Sequence, residues 1–198
     1  MKTKITIALA IGGTLLLTAL SSCAGPLGRS GYESAPYTTV KKDGAFEIRD
    51  YPEIVVATTI MAGGENKQNS GFMNLFRYIS GKNEADQKIA MTTPVFSKTD
   101  GDQQEMSFVL PDDVAKNGAP KANNDNVTVS KRQAGRFIVF RYSGRWTEAN
   151  DKKAREKLAK WAKEQKLTLT SVVEKASYDP PFTPPFMRRN EIMARINK

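Results

Sequence analysis

Residues 178–192 read Tyr-Asp-Pro-Pro-Phe-Thr-Pro-Pro-Phe-Met-Arg-Arg-Asn-Glu-Ile and impose an extended, non-helical path near the end of a 198-residue chain. Each proline locks φ and removes a backbone donor, so neither a helix nor a central sheet strand can run through the two Pro-Pro pairs. The segment reads as a shaped wall beside a pocket. The chain contains no histidine and a single cysteine, which limits the chemistry of such a pocket. A Ser-His-Asp triad, a Cys-His pair and a conventional zinc site are all excluded. No phosphate-binding glycine pattern is present, and Gly63-Gly64 is too weak a signal to count as one.

The rest of the chain alternates between strand and helix patterns. Residues 46–51 have period two, and 54–61 are rich in β-branched residues. Ser70 is placed to cap a helix whose apolar stripe is Phe72, Leu75, Phe76 and Ile79, with Gly81 as its stop. Residues 91–97 and 106–111 read as two more strands, and 112–125 as a loop. Strand patterns recur at 127–131 and 136–142. A helix over 147–165 follows, with Ala154, Leu158, Trp161 and Ala162 buried, and then strands at 168–174 and 191–196. Glu47, Asp50 and Glu53 are close in sequence, but strand alternation divides them between two faces. This order repeats strand, strand, helix, strand, strand. It predicts an α+β domain whose two halves share a curved sheet or distorted barrel, each with a helix packed on it. A four-stranded ferredoxin-like unit is the alternative, and it needs fewer strands.

The N-terminus carries a different signal. Lys2 and Lys4 precede residues 5–20, which hold no charge, and Leu20-Ser21-Ser22-Cys23 follows. Sixteen residues are short of the roughly 20 needed to span a bilayer and suit the core of a secretory signal. Leu20-Ser21-Ser22-Cys23 resembles a bacterial lipobox. The resemblance implies a signal peptide over 1–22, a lipidated Cys23 and a Gly/Pro/Ser-rich tether over 23–36, leaving a folded domain at 37–198. Ala24, in place of an aspartate, points to the outer membrane, with the domain facing the periplasm. Cleavage removes two of the 30 basic residues and none of the 21 acidic ones, so the net charge falls from +9 to +7. A basic surface favours anionic partners. No arginine-rich arm, zinc spacing or aromatic RNA-binding motif supports nucleic acid as one of them.

The first helix offers the clearest binding surface. With Phe72 at zero, Met73 lies about 100° and Arg77 about 140° round the axis, so both flank the stripe. A flat hydrophobe across Phe72, Met73 and Phe76 would bring a carboxylate to Arg77. Periodicity alone equally allows Phe72 and Phe76 to be core and Arg77 to be solvated.

Four stretches, 46–52, 72–83 with 88–95, 106–111, and above all Tyr178-Asp179-Pro180-Pro181 with Arg188-Arg189-Asn190-Glu191, resemble the SOUL haem-binding protein family over residues 37–197. The resemblance implies a distorted antiparallel β-barrel of two pseudo-repeated halves, each with one helix packed on the sheet. It also implies a monomeric, non-enzymatic protein that binds haem or another tetrapyrrole beside the first helix through Phe72, Met73 and Phe76, with Arg77 as propionate partner. Iron ligation by histidine is impossible, which leaves Met73 or a tyrosine such as Tyr78 as a weak ligand. In the Pro-rich segment, Phe182 or Phe186 is expected to order the second half of the barrel, and Arg188 to pair with Glu191. Two other readings share the residues. One is action on a different small molecule, on a fold like the effector-binding domains of bacterial regulators, some of whose relatives are hydrolases. The other is an envelope protein whose basic face meets anionic lipid or cell-wall polymer.

Overall fold

The computed structural model describes residues 31–61 and 67–197. The leader and Cys23 lie outside the described residues, as do Gly63 and Gly64. The strands are β1 (Glu33–Ser34), β2 (Thr38–Asp43), β3 (Phe46–Tyr51), β4 (Ile54–Ile60), β5 (Thr92–Thr93), β6 (Val95–Asp100), β7 (Gln103–Val109), β8 (Thr128–Arg132), β9 (Gly135–Tyr142), β10 (Leu169–Ser177) and β11 (Asn190–Ile196). The helices are α1 (Lys67–Ile79), α2 (Asp112–Asn117) and α3 (Glu148–Glu164). Nine strands form one antiparallel sheet in the order β2-β3-β9-β11-β10-β6-β7-β4-β8, and β1 pairs in parallel with β5.

The two halves are visible in this order. In the first, β3, β4, α1, β6 and β7 follow one another; in the second, β8, β9, α3, β10 and β11 do. The opening strand of each half crosses to the other: β3 pairs with β9, and β8 with β4. β6 and β10 join the halves at the centre. The sheet does not close into the expected barrel. Its outer strands, β2 and β8, remain edges, and they carry Lys41, Lys42 and Lys131 and a register shift in β2, features that oppose further pairing.

Strand alternation divides the apolar residues between two faces. On β9, Phe137 and Val139 enter the core shared by the two halves, whereas Ile138 and Phe140 meet α3. β11 repeats the pattern, with Met193 central and Ile192 and Ala194 under α3. On the other half, Ile54, Val56 and Val109 face the shared core, while Ala57, Met106 and Phe108 pack with α1. α3 buries the four residues its periodicity assigns, behind a Thr147 N-cap that accepts from Asn150 N–H at 3.2 Å.

Three local expectations are corrected. α2 forms inside the segment read as a loop, because two aspartates favour its first turn and Val114 gives it a buried anchor. Packing begins at β1, where Ala35 is buried and its N–H donates to the Thr93 carbonyl at 2.7 Å, so residues 33–36 are part of the fold. Ser70 lies within α1, not at its cap.

The residues flanking the prolines meet at a buried ion cluster. Glu191 is wholly buried and receives Arg49 in a two-pronged pair at 2.8 and 3.0 Å. Arg189 donates to the same carboxylate at 2.7 and 2.9 Å, and the Tyr178 hydroxyl does so at 3.0 Å. Tyr37 lies under the Arg49 guanidinium at 4.2 Å, and Tyr178 under that of Arg189 at 3.8 Å. Arg189, not Arg188, is therefore the partner of Glu191. Residues 189 and 191 share a strand face, whereas Arg188 turns to the Thr183 and Pro181 carbonyls. Burial pushes the Glu191 carboxyl up, but Arg49 and then Arg189 outweigh it and hold the group below its ordinary range.

Removing one partner leaves an uncompensated buried charge, so Arg49→Met or Glu191→Ala is expected to cost about 3–5 kcal/mol in urea unfolding. Because the folded-state value of Glu191 is depressed, its contribution is complete above the unfolded carboxylate value of about 4.3 and is lost as pH falls through the lower folded value. The stability gap between wild type and Glu191→Gln should therefore stay level from neutral pH to about pH 5 and narrow further down. A gap that does not change with acid would refute this assignment.

Candidate ligand-binding site

α1 lies across β4 and β7, and a glycine sets how it sits. A Cβ on Gly71 would stand 2.8 Å from Met61 Cγ, so the helix approaches the end of β4 closely at that residue. With Gly71 against the sheet, Leu75, Tyr78 and Ile79 become the buried stripe. The expected stripe is thus rotated: Phe72 and Phe76 leave its centre, and Tyr78 enters it. Phe72, Met73 and Phe76 are instead 36%, 41% and 43% exposed, which makes them a surface and not a core. The Phe72 and Phe76 rings lie 6.0 Å apart at 13° to one another, and Phe72 rests against Phe108 at 5.3 Å. These contacts fix a nearly flat apolar face.

Arg77 is exposed one turn beyond Met73 and forms no ion pair or side-chain hydrogen bond with another described residue. The structure therefore brings Phe72, Met73, Phe76 and Arg77 together on the solvent side of one helix. Buried Asn83 anchors the end of that helix: its amide donates to the Tyr78 carbonyl at 3.0 Å and the Gln87 carbonyl at 2.7 Å. Its carbonyl oxygen accepts from the N–H groups of Ala85 and Gln87. Tyr78 is not available as a ligand on the exposed face. Its hydroxyl donates to the Pro120 carbonyl at 2.7 Å, and burial pushes its pKa up to about 12.

The opposite face of the same half carries a polar cleft of about 630 Å³ that sequence reading missed. Thr58, Ser107, Thr128 and Ser130 line its wall, Ile60 stands at 56% exposure, and Arg132 and Glu174 are among the lining side chains. Arg132 donates to Glu174 at 2.9 Å and stacks on Phe137 at 4.5 Å and Phe96 at 4.7 Å. Its other terminal nitrogen, Nη1, is buried without a hydrogen-bond partner. The alternation in β4 and β8 that places hydroxyls on one face was legible; the pairing of β4 with β8 that lines them up was not. Among the described residues, no group of three or more Cys, Asp or Glu side chains is placed to hold a metal ion.

Solved structures share this fold at low identity. The C-terminal domain of EcmrR aligns with a TM-score of 0.56 and 14% identity, covering 82% of this chain and 98% of that one. EcmrR in a DNA complex gives 0.58 and 13%, over 77% of this chain and 57% of that one. A hydrolase from Listeria innocua gives 0.52 and 13%, over 80% and 94%. No curated protein matches the chain. The family described as SOUL heme-binding protein matches residues 32–195, nearly the whole length, and the chain belongs to that family.

Proposed function

We propose that this protein binds haem or a related tetrapyrrole, without catalysing a reaction, on the exposed face of α1. The observation that carries the reading is the near-parallel, half-exposed Phe72 and Phe76 pair beside an exposed Arg77 that has no side-chain partner among the described residues. Family membership supplies the ligand class. The exposed parts of Phe72, Met73 and Phe76 amount to roughly 200 Å². Covering them contributes about 5 kcal/mol at 25 cal/mol/Å². The macrocycle's own apolar face adds a similar amount before the cost of association, which is compatible with micromolar affinity. Arg77 would pair with a propionate, Phe72 and Phe76 would hold the ring plane, and the Met73 thioether is the one soft donor on this helix face. The bound group would supply its own iron chemistry, while the protein's part is shape and charge. The leader completes the proposal: a lipid on Cys23 would keep the domain at the bacterial envelope, at the outer membrane and facing the periplasm, as a monomer.

A second reading rests on Arg132 Nη1, which has no hydrogen-bond partner among the described residues and would donate to a ligand's oxygen within the polar cleft. On this reading the fold serves a small polar molecule and the α1 face is incidental.

Titration with hemin separates the two. A saturable Soret shift at micromolar concentration is expected, weakened at least about tenfold when Phe72→Ala is combined with Arg77→Glu. No shift, or one that the double variant leaves unaltered, removes α1 as the site; calorimetric binding of small polar acceptors that Arg132→Met abolishes then favours the cleft. Tyr78→Phe should leave the haem spectrum unchanged and lower stability by about 1 kcal/mol, the net worth of its lost hydrogen bond. A changed spectrum would return Tyr78 to the site.

A further inference from the structure

Beyond α1, apolar side chains also stand in solvent on the Pro-rich loop and at the end of β4. Phe182 is 86% exposed and Phe186 78%. The expectation that Phe182 or Phe186 orders the second half of the sheet is therefore corrected. The loop is held by its own backbone, with Thr183 N–H donating to the Pro180 carbonyl at 3.0 Å and Met187 N–H to that of Pro184 at 2.9 Å. Ile60, at the end of β4, stands in the polar cleft, and its surroundings there are unlike those of the α1 face.

Strand pairing arranges the wall of that cleft in two rows. Thr128 on β8, Thr58 on β4 and Ser107 on β7 are direct neighbours in register, so three hydroxyls stand abreast, about 4.8 Å from strand to strand. The Thr58 and Ser107 oxygens share one hydrogen bond at 2.8 Å, while the hydroxyls of Thr128 and Ser130 have no partner among the described residues. Beside this row, Ile60, Glu105, Lys98 and Glu174 are neighbours across β4, β7, β6 and β10. Lys98 meets Glu105 at 3.1 Å. Arg132 reaches Glu174 at 2.9 Å from β8, although β4, β7 and β6 lie between the two strands, so this part of the sheet curls round the cleft.

Those rows select a chemistry. Lys98, Lys131 and Arg132 balance Glu105, Asp125 and Glu174 among the lining residues, so a ligand of high net charge meets both signs and gains little from either. A flat apolar ring would take the hydroxyls out of water and leave them unpaired. A neutral polyhydroxylated molecule meets neither obstacle. Its hydroxyls donate and accept as those of serine and threonine do, and strands side by side present such groups at the separation of groups along one ring edge. A volume of about 630 Å³ is in the range of small-molecule clefts. We infer that the cleft binds a neutral saccharide, with Thr58, Ser107, Thr128 and Ser130 reading its hydroxyls and Ile60 supporting its C–H face. Arg132 Nη1, buried without a partner, supplies one further donor. This inference rests on the reading of the cleft as a ligand site and stands apart from haem on α1.

The test follows the full chain, held in a phosphocholine detergent that carries no sugar, by calorimetry and by backbone amide chemical shifts. The probes are glucose, maltose and N-acetylglucosamine, with succinate as a charged acceptor. At least one saccharide is expected to bind with a Kd on the order of millimolar and to shift the amides of β4, β7 and β8. Thr58→Val combined with Ser107→Ala removes both partners of one hydrogen bond, so no orphaned donor remains, and should weaken binding at least about tenfold. Thr128→Val, on the exposed edge strand, should weaken it about threefold and serves as the readout where circular dichroism shows that the double variant misfolds. Phe72→Ala with Arg77→Glu should leave saccharide binding unchanged. Binding that survives loss of the hydroxyls, or that shifts amides elsewhere, overturns the inference. Succinate binding abolished by Arg132→Met, with no saccharide bound, overturns the saccharide class and keeps the cleft as a site; silence toward every probe removes the cleft as well.

Discussion

One carboxylate, that of Glu191, fixes how the beginning and end of the chain meet. It is fully buried on the last strand and is matched by Arg49 from β3 and Arg189 from the strand's own approach, with Tyr178 completing its hydrogen bonds. A buried charge of this kind is tolerated only when every lone pair is satisfied. That requirement selects one register of β3 against β9 and β11, because a slip by one residue would turn Arg49 to the opposite face. The prolines bring Tyr178 and Arg189 back together across a loop of fixed shape, so the cluster and the loop depend on each other.

The exchange of opening strands between the halves then decides where apolar surface is left over. Once β3 crosses to β9 and β8 to β4, β9 and β11 bury both faces, one against the shared core and one against α3. α3 sits over β9 and β11 and spends its apolar residues inward. α1 is different: Gly71 lets it lie close, Leu75, Tyr78 and Ile79 suffice to fill the gap, and two phenylalanines and a methionine remain outside. The exposed apolar face of α1 is a by-product of how tightly the helix docks.

Much of this was legible in the sequence, and the gaps have physical causes. The α3 stripe was read correctly because a long amphipathic pattern with a cap signal has one interpretation. In α1 the pattern offered two, since Phe72 and Tyr78 are both apolar enough to face a sheet, and only the close approach at Gly71 selects between them. The strand-pair order is a long-range property that no local period encodes, so the open sheet and the cleft under β8 were out of reach. β2 was missed because all six of its residues are exposed and carry no alternating signal. The pairing of Arg189 with Glu191 was within reach, since residues two apart on a strand share a face.

The two groups of exposed aromatic rings differ in shape. On α1 the rings are half-covered, nearly parallel and next to an exposed cation with no side-chain partner among the described residues, an arrangement suited to a flat molecule with a charged edge. At the Pro-rich loop the rings are almost bare and held apart from the core by a braced backbone, an arrangement with a tip and no plane. With no histidine in the chain to bind iron, a tetrapyrrole on the α1 face would have to be held by shape and charge.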